Sequence, residues 1–153
     1  FKVYIPAATT EQTSSKQDDV ASAELPRGQG ELVLIVDDEP SILGVTKQTL
    51  EAFGYRALTA EDGAQAIAVF ARQPGAVRVI ITDMMMPVMD GLALIAALRR
   101  IDARVPIIAA SGLASNHGVA QAGAAGVRHF LAKPYTTDAL LRVLRQALEG
   151  ATP

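Results

Sequence analysis

Four times in this chain a mostly apolar run stops at a polar residue and gives way to a loop. Leu32-Val-Leu-Ile-Val36 stops at Asp37 and Asp38, Val77 to Thr82 at Asp83, Val105 to Ala110 at Ser111, and Val127 to Ala132 at Lys133. Continuous apolar runs of this length suit strands covered on both faces, and such strands are parallel. Parallel neighbours need crossover connections, usually helices. The pattern therefore demands helices between the runs, and the chain supplies them.

The intervening segments carry helical spacing and helical punctuation. After β1 (32–36), Pro40 suits a first helical position. Ile42, Val45, Thr49 and Phe53 then recur at helical spacing, giving α1 up to Phe53, closed by Gly54. Tyr55 to Thr59 reads as β2. Asp62 precedes α2 (63–72), with Ala66, Ile67, Val69 and Phe70 inward, and Pro74-Gly75 stops it. Val77 to Thr82 is β3. Leu92 to Arg100 is α3, with Leu94, Ile95 and Leu98 as core and two arginines where the helix dipole favours them. Val105 to Ala110 is β4, entered through Pro106. Ser115 to Ala124 is a helix poor in apolar mass, α4, expected to be the least stable element. Val127 to Ala132 is β5, and Thr137 to Leu148 is α5, with Leu140, Leu141, Leu144 and Leu148 on one stripe. This (βα)5 alternation predicts an α/β fold, a doubly wound parallel sheet of flavodoxin-like order 2-1-3-4-5. In that order the ends of β1 and β3 flank a crevice, which is where Asp37, Asp38 and Asp83 fall.

Ahead of this domain, residues 1–6 suit a short strand ended by Pro6. Residues 7–30 are rich in Thr, Ser, Gln, Asp and Glu with few large apolar groups, and read as a flexible linker. The domain that follows the linker spans 31–149, and 150–153 is a tail. The opening at Phe1 reads as a fragment cut from a longer chain, with no export signal. With 153 residues, half of them apolar, one domain with a sizeable core is expected. A net charge of -2 without a basic stripe gives no pull toward nucleic acid or a membrane surface. The absence of cysteine excludes disulfides and thiolate chemistry, and two histidines, His117 and His129, do not make a usual zinc site. No apolar stretch approaches the roughly 20 residues of a membrane helix, so a cytoplasmic location is the default.

Three carboxylates meeting at strand ends repel one another and need a cation. All-oxygen donors select a hard ion, Mg²⁺ or Mn²⁺. Asp38 and Asp83 are expected as direct ligands, Asp37 through a water, Glu39 in the outer shell, and the backbone carbonyl of Met85 as a further donor. Asp83 is then placed to carry a phosphoryl group as an acyl phosphate. Lys133 would neutralise that group's oxygens and Ser111 would donate its hydroxyl. Met84, Met85, Met86 and Met89 are read as loop packing.

Those residues bring a family into view. Leu34-Ile-Val-Asp-Asp-Glu-Pro40, Asp83-Met-Met-Met-Pro-Val-Met-Asp-Gly91, Ile108-Ala-Ala-Ser-Gly112 and Phe130-Leu-Ala-Lys-Pro134 closely resemble the receiver domain of bacterial response regulators. The resemblance implies that Asp83 accepts a phosphoryl group from phosphohistidine, that a histidine kinase or histidine phosphotransfer domain is the partner, and that Lys133–Pro134 is cis. It implies a switch in which Ser111 moves toward the phosphoryl group, Phe130 turns inward, and the α4-β5-α5 face changes, a face that could also carry a homodimer. Phe1-Lys-Val-Tyr-Ile-Pro6 resembles the closing strand of a histidine-kinase ATP-binding domain, which suggests the C-terminal receiver of a hybrid sensor kinase. Two rival readings stand beside it: a docking module for a kinase or phosphotransfer domain that is never phosphorylated, and a phosphatase of similar fold, against which Met85 stands where a second acid would be required.

Overall fold

The computed structural model describes residues 25–112 and 116–150. The expected strand at 1–6, most of the expected linker, the 151–153 end of the tail and Ser115, the expected start of α4, lie outside the described residues. Ten elements alternate: β1 Leu32–Val36, α1 Pro40–Ala52, β2 Arg56–Ala60, α2 Gly63–Arg72, β3 Val77–Asp83, α3 Gly91–Ile101, β4 Ile107–Gly112, α4 Asn116–Ala124, β5 His129–Lys133 and α5 Thr137–Gly150. The five strands form one sheet in the order β2-β1-β3-β4-β5, and every neighbouring pair is parallel. The expected doubly wound α/β sheet is the observed one.

Successive residues of a strand face opposite sides, and β1 shows how that divides the core. Leu32, Leu34 and Val36 join Phe70, Ile80, Leu94, Ile95 and Leu98 on the face covered by α2, α3 and α4. Val33 and Ile35 join Leu43, Leu50, Ile81, Leu140, Leu141 and Leu144 under α1 and α5. All five β1 side chains are buried, as a central parallel strand requires.

Several boundaries differ from the sequence reading, each for a hydrogen-bonding reason. β4 starts at Ile107 rather than Val105: the Pro106 carbonyl accepts from Ile80 N–H, but its nitrogen has no proton to give back. It runs on to Gly112 because Ser111 and Gly112 pair with Ala132 and Lys133. β5 starts at His129 rather than Val127, whose N–H is taken by the Ala122 carbonyl at the end of α4. β2 begins at Arg56 because Tyr55 N–H returns to Leu50.

The inward stripe of α1 is also corrected. The buried residues are Leu43, Thr46 and Leu50, while Val45 is 65% exposed. A purely apolar spacing passes over this stripe because its middle position is a threonine, whose hydroxyl finds a partner inside the fold (Tyr135 Oη at 3.0 Å). On α5, Ala147 completes the buried set and Leu148 lies at its margin. On α4, Ala122 is the buried side chain among those described, in keeping with its small apolar content.

Residues 25–30, assigned to the linker by composition, are packed. Leu25 lies against the α1/α5 core. Gly28 N–H donates to the Phe53 carbonyl at 2.7 Å and Gly30 N–H to that of Gly54 at 2.8 Å, while the Arg27 guanidinium stands 5.5 Å over the Phe53 ring. A β-carbon on Gly28 would lie 2.5 Å from the Tyr55 ring, so the strap fits only as glycine.

Val88, in the β3–α3 loop, has φ 70° and a fully exposed side chain. A β-branched residue is strained in that region. Val88→Gly is expected to raise stability by about 1 kcal/mol, read as a higher urea midpoint at unchanged slope.

Candidate functional site

The site lies at the carboxyl ends of β1, β3 and β5. β1 ends at Val36, so Asp37 and Asp38 leave the sheet together, and their burial splits them: Asp37 is 4% exposed while Asp38 faces solvent. Asp83 is the last residue of β3 and is 6% exposed. One carboxylate oxygen from each of Asp37, Asp38 and Asp83 lies within 4.8 Å of the others.

Local backbone shapes the cluster. Glu39 N–H donates to Asp37 Oδ1 at 2.9 Å, and Met85 N–H donates to Asp83 Oδ1 at 3.2 Å, so each loop folds back on its own acid. Gly91 N–H closes the β3–α3 loop onto the Met84 carbonyl, and a β-carbon on Gly91 would lie 2.7 Å from Met84 Cα. Asp90 caps α3 by accepting from Ala93 N–H. Met84 and Met86 are buried in the core and Met89 packs against it, but Met85 is 70% exposed, which corrects its reading as loop packing.

Lys133 ends β5 and reaches across to both buried acids. Its Nζ lies 2.7 Å from Asp37 Oδ2 and 3.4 Å from Asp83 Oδ2. The resting ammonium is therefore bound first to Asp37 and only secondarily to Asp83. Burial alone would lower the Lys133 pKa, but the hydrogen bond to Asp37 and the charges of both acids outweigh it and hold it above the usual range. Asp83 is pushed the other way for a carboxylate: burial raises its pKa and Asp37 adds to the rise, against the Met85 N–H and Lys133.

Ser111 is 7% exposed on β4. Asp83 pairs in register with Ala110, and Ser111 with Ala132, so Ser111 sits between the strand ends that carry Asp83 and Lys133. Phe130 on β5 is half-buried against the α2–α4 core. Glu39 is the exposed N-cap residue of α1 without a side-chain cap bond. The Lys133–Pro134 peptide is cis. His129 is half-buried, and burial followed by the Arg128 charge lowers its pKa. Sequence reasoning missed Tyr135, two residues beyond Lys133 and bonded to Thr46. A cleft of about 360 Å³ lined by Arg27, Glu31, Tyr55, Arg78 and Arg145 includes none of the acid-cluster residues. The chemistry sits instead in the shallow opening above the strand ends.

The donor set fits a hard divalent cation. It offers three convergent carboxylate oxygens and neither sulfur nor imidazole, with a single ammonium as counter-charge. The cluster with Lys133 spanning two of its acids is the phosphoacceptor arrangement of receiver domains, built of the groups that self-phosphorylation and self-dephosphorylation use.

The comparisons agree with that geometry. The family described as "Response regulator receiver domain" matches residues 33–145. The transcriptional regulatory protein GlrR of Escherichia coli K12 is 35% identical over 121 residues, covering 79% of this chain and 27% of that protein. The sensor histidine kinase RcsC of Salmonella typhi is 29% identical over 136 residues, covering 89% of this chain and 13% of the kinase. The chain thus spans about a quarter or less of these relatives. Among solved structures, Vibrio cholerae chemotaxis protein CheY4 superposes with a TM-score of 0.72 at 34% identity, covering 78% of this chain and 99% of that one. A receiver domain protein from Clostridium thermocellum gives 0.75 at 28%, covering 78% and 94%. Fold, acid cluster and sequence together place the chain in the response regulator receiver family.

Proposed function

We propose that Asp83 accepts a phosphoryl group from a phosphohistidine in a Mg²⁺-dependent reaction, as one station of a two-component phosphorelay. The observation that carries this is the position of Asp83: buried, at a strand end, with Lys133 Nζ 3.4 Å away and two further acids beside it. A carboxylate oxygen of Asp83 attacks phosphorus, the P–N bond to the donor imidazole breaks, and the imidazole leaves with that electron pair. Lys133 then swings from Asp37 toward the new phosphoryl oxygens, and the Ser111 hydroxyl donates to another. Asp37, Asp38, Asp83 and the Met85 carbonyl would hold Mg²⁺ (Mn²⁺ being the other ion this donor set suits), with Glu39 behind them, and the ion supplies charge neutralisation on the transferred group. Phe130 turns inward as Ser111 moves, which alters the α4-β5-α5 face used for a partner or a second copy.

The partner class is a histidine kinase or histidine phosphotransfer domain. Residues 1–6 would then close a preceding kinase domain in a cytoplasmic hybrid kinase, with the linker running from residue 7, and the contacts of residues 25–30 support ending that linker before Leu25 rather than at Gly30. Among the described residues no helix is long and apolar enough to cross a membrane.

Intact-protein mass spectrometry after incubation with acetyl phosphate and Mg²⁺ tests the central step. One added phosphoryl group is expected, lost on acid or alkaline treatment and absent when EDTA replaces Mg²⁺. A chain that stays unmodified with both acetyl phosphate and a phosphohistidine donor, yet still binds the donor domain, would establish the docking-module reading instead.

A further inference from the structure

The β5–α5 connection does more than deliver Lys133. Tyr135, two residues on, is half-buried with its phenol oxygen 3.0 Å from Thr46 Oγ1, a partner 89 positions away in the chain. Thr46 is 3% exposed, on the sheet-facing stripe of α1. Two hydroxyls in a packed interface are costly unless partnered, and here each partners the other. Burial holds the Tyr135 pKa above its usual range, so the phenol keeps its proton.

The bond joins the two segments that meet at the site. α1 begins at Pro40, immediately after the loop of Asp37, Asp38 and Glu39, and Tyr135 follows directly on Lys133-Pro134. β1 and β5 are not neighbours in the sheet, since β3 and β4 lie between them. No strand ladder therefore joins Asp37 to Lys133 directly; the sheet links them only through two intervening strands. A second connection runs through the helix layer, where α1 and α5 cover the same face and Tyr135 packs against their core. The quantity at stake is small in distance: Lys133 stands 2.7 Å from Asp37 and 3.4 Å from Asp83. A shift of well under an ångström decides which acid it serves.

We infer that Tyr135 and Thr46 are positioning residues for Lys133, holding its ammonium on Asp37 in the resting site and keeping it aimed within reach of Asp83 for the phosphoryl step. Neither touches the reacting atoms. The inference rests on the reading of Lys133 as the partner of the phosphoryl group on Asp83, but its first consequence, the resting contact with Asp37, is measurable without any phosphorylation.

The test uses Tyr135→Phe, Thr46→Val, the double variant, and Thr46→Ser, which keeps the hydroxyl. Three quantities are read: the ¹⁵N–¹H signal of the Lys133 ammonium in metal-free protein, the Mg²⁺ dissociation constant by calorimetry, and the maximum rate and half-saturation of acetyl phosphate labelling. Expected are a shifted and broadened Lys133 signal, tighter Mg²⁺ binding, and a maximum rate lowered by about tenfold at unchanged half-saturation. The double variant should be no worse than either single one, as for two halves of one bond, and Thr46→Ser should stay near the parent. A lower melting temperature with the Lys133 signal and Mg²⁺ affinity unmoved would reduce the pair to a stabilising contact and overturn the inference. Should the parent chain take no phosphoryl group at all, the first two readouts still decide the matter.

Discussion

Asp83→Asn is expected to abolish acid-labile labelling of the chain completely, and to make the metal-free protein more stable at neutral pH. The first effect follows because an amide cannot form an acyl phosphate, and neither neighbouring acid can replace it. Asp37 is held by Lys133 at 2.7 Å and by Glu39 N–H, and Asp38 faces solvent. The second effect follows from the raised pKa of Asp83, whose first cause is burial. Between the unfolded and folded pKa values the native state binds more protons than the unfolded one, so stability falls as pH rises through that window. Below the ordinary carboxylate range Asp83 carries no penalty; above its raised folded value the penalty is fully present. The asparagine variant lacks it, so the two stability curves should meet in acid and separate as pH rises through that window. Urea midpoints measured in EDTA at acid and neutral pH check the sign. A gap that widened toward acid, or phosphoryl label retained in the variant, would contradict the role given to Asp83.

How much of this could be read from the sequence depends on what kind of information each feature needs. The sheet and the strand-end positions of Asp37, Asp38, Asp83 and Lys133 follow from local pattern: an apolar run fixes a buried strand, and the next residue has to emerge at its end. Thr46 did not follow, because a polar residue on a buried stripe is invisible to hydrophobic spacing until its partner Tyr135 is known, 89 positions away. The strap at 25–30 was hidden for a related reason. Beyond the single apolar anchor Leu25, its packing is made by glycine backbone and a cation over a ring, contacts without an apolar signature. The pairing of Lys133 with Asp37 before Asp83 was also out of reach, since sequence places a residue at a strand end but does not set side-chain distances of a few tenths of an ångström. The β4 and β5 boundaries slipped by about two residues where Pro106 has no N–H to donate and the Val127 N–H is taken by the Ala122 carbonyl.

That Lys133–Asp37 pair carries the second large effect. Lys133→Ala is expected to tighten Mg²⁺ binding while lowering the rate of phosphoryl acceptance by about 10²- to 10³-fold. The two changes move in opposite directions for one reason. In the resting protein the ammonium is the cation that compensates the acid cluster, 2.7 Å from an acid expected to serve the metal. An arriving metal has to displace it, so removing it removes a competitor. The same ammonium is the group free to follow charge onto the phosphoryl oxygens once the metal holds the carboxylates, and no other cation among the described residues pairs with Asp83. Metal-free Lys133→Ala should lose about 3 kcal/mol of stability at neutral pH, because buried Asp37 is left charged and unpaired. Saturating Mg²⁺ should restore most of it, by mass action on the folded state. Calorimetric Mg²⁺ titration beside single-turnover labelling reads both effects on one preparation. Weaker metal binding in the alanine variant would mean that Lys133 organises the acids instead of competing for them.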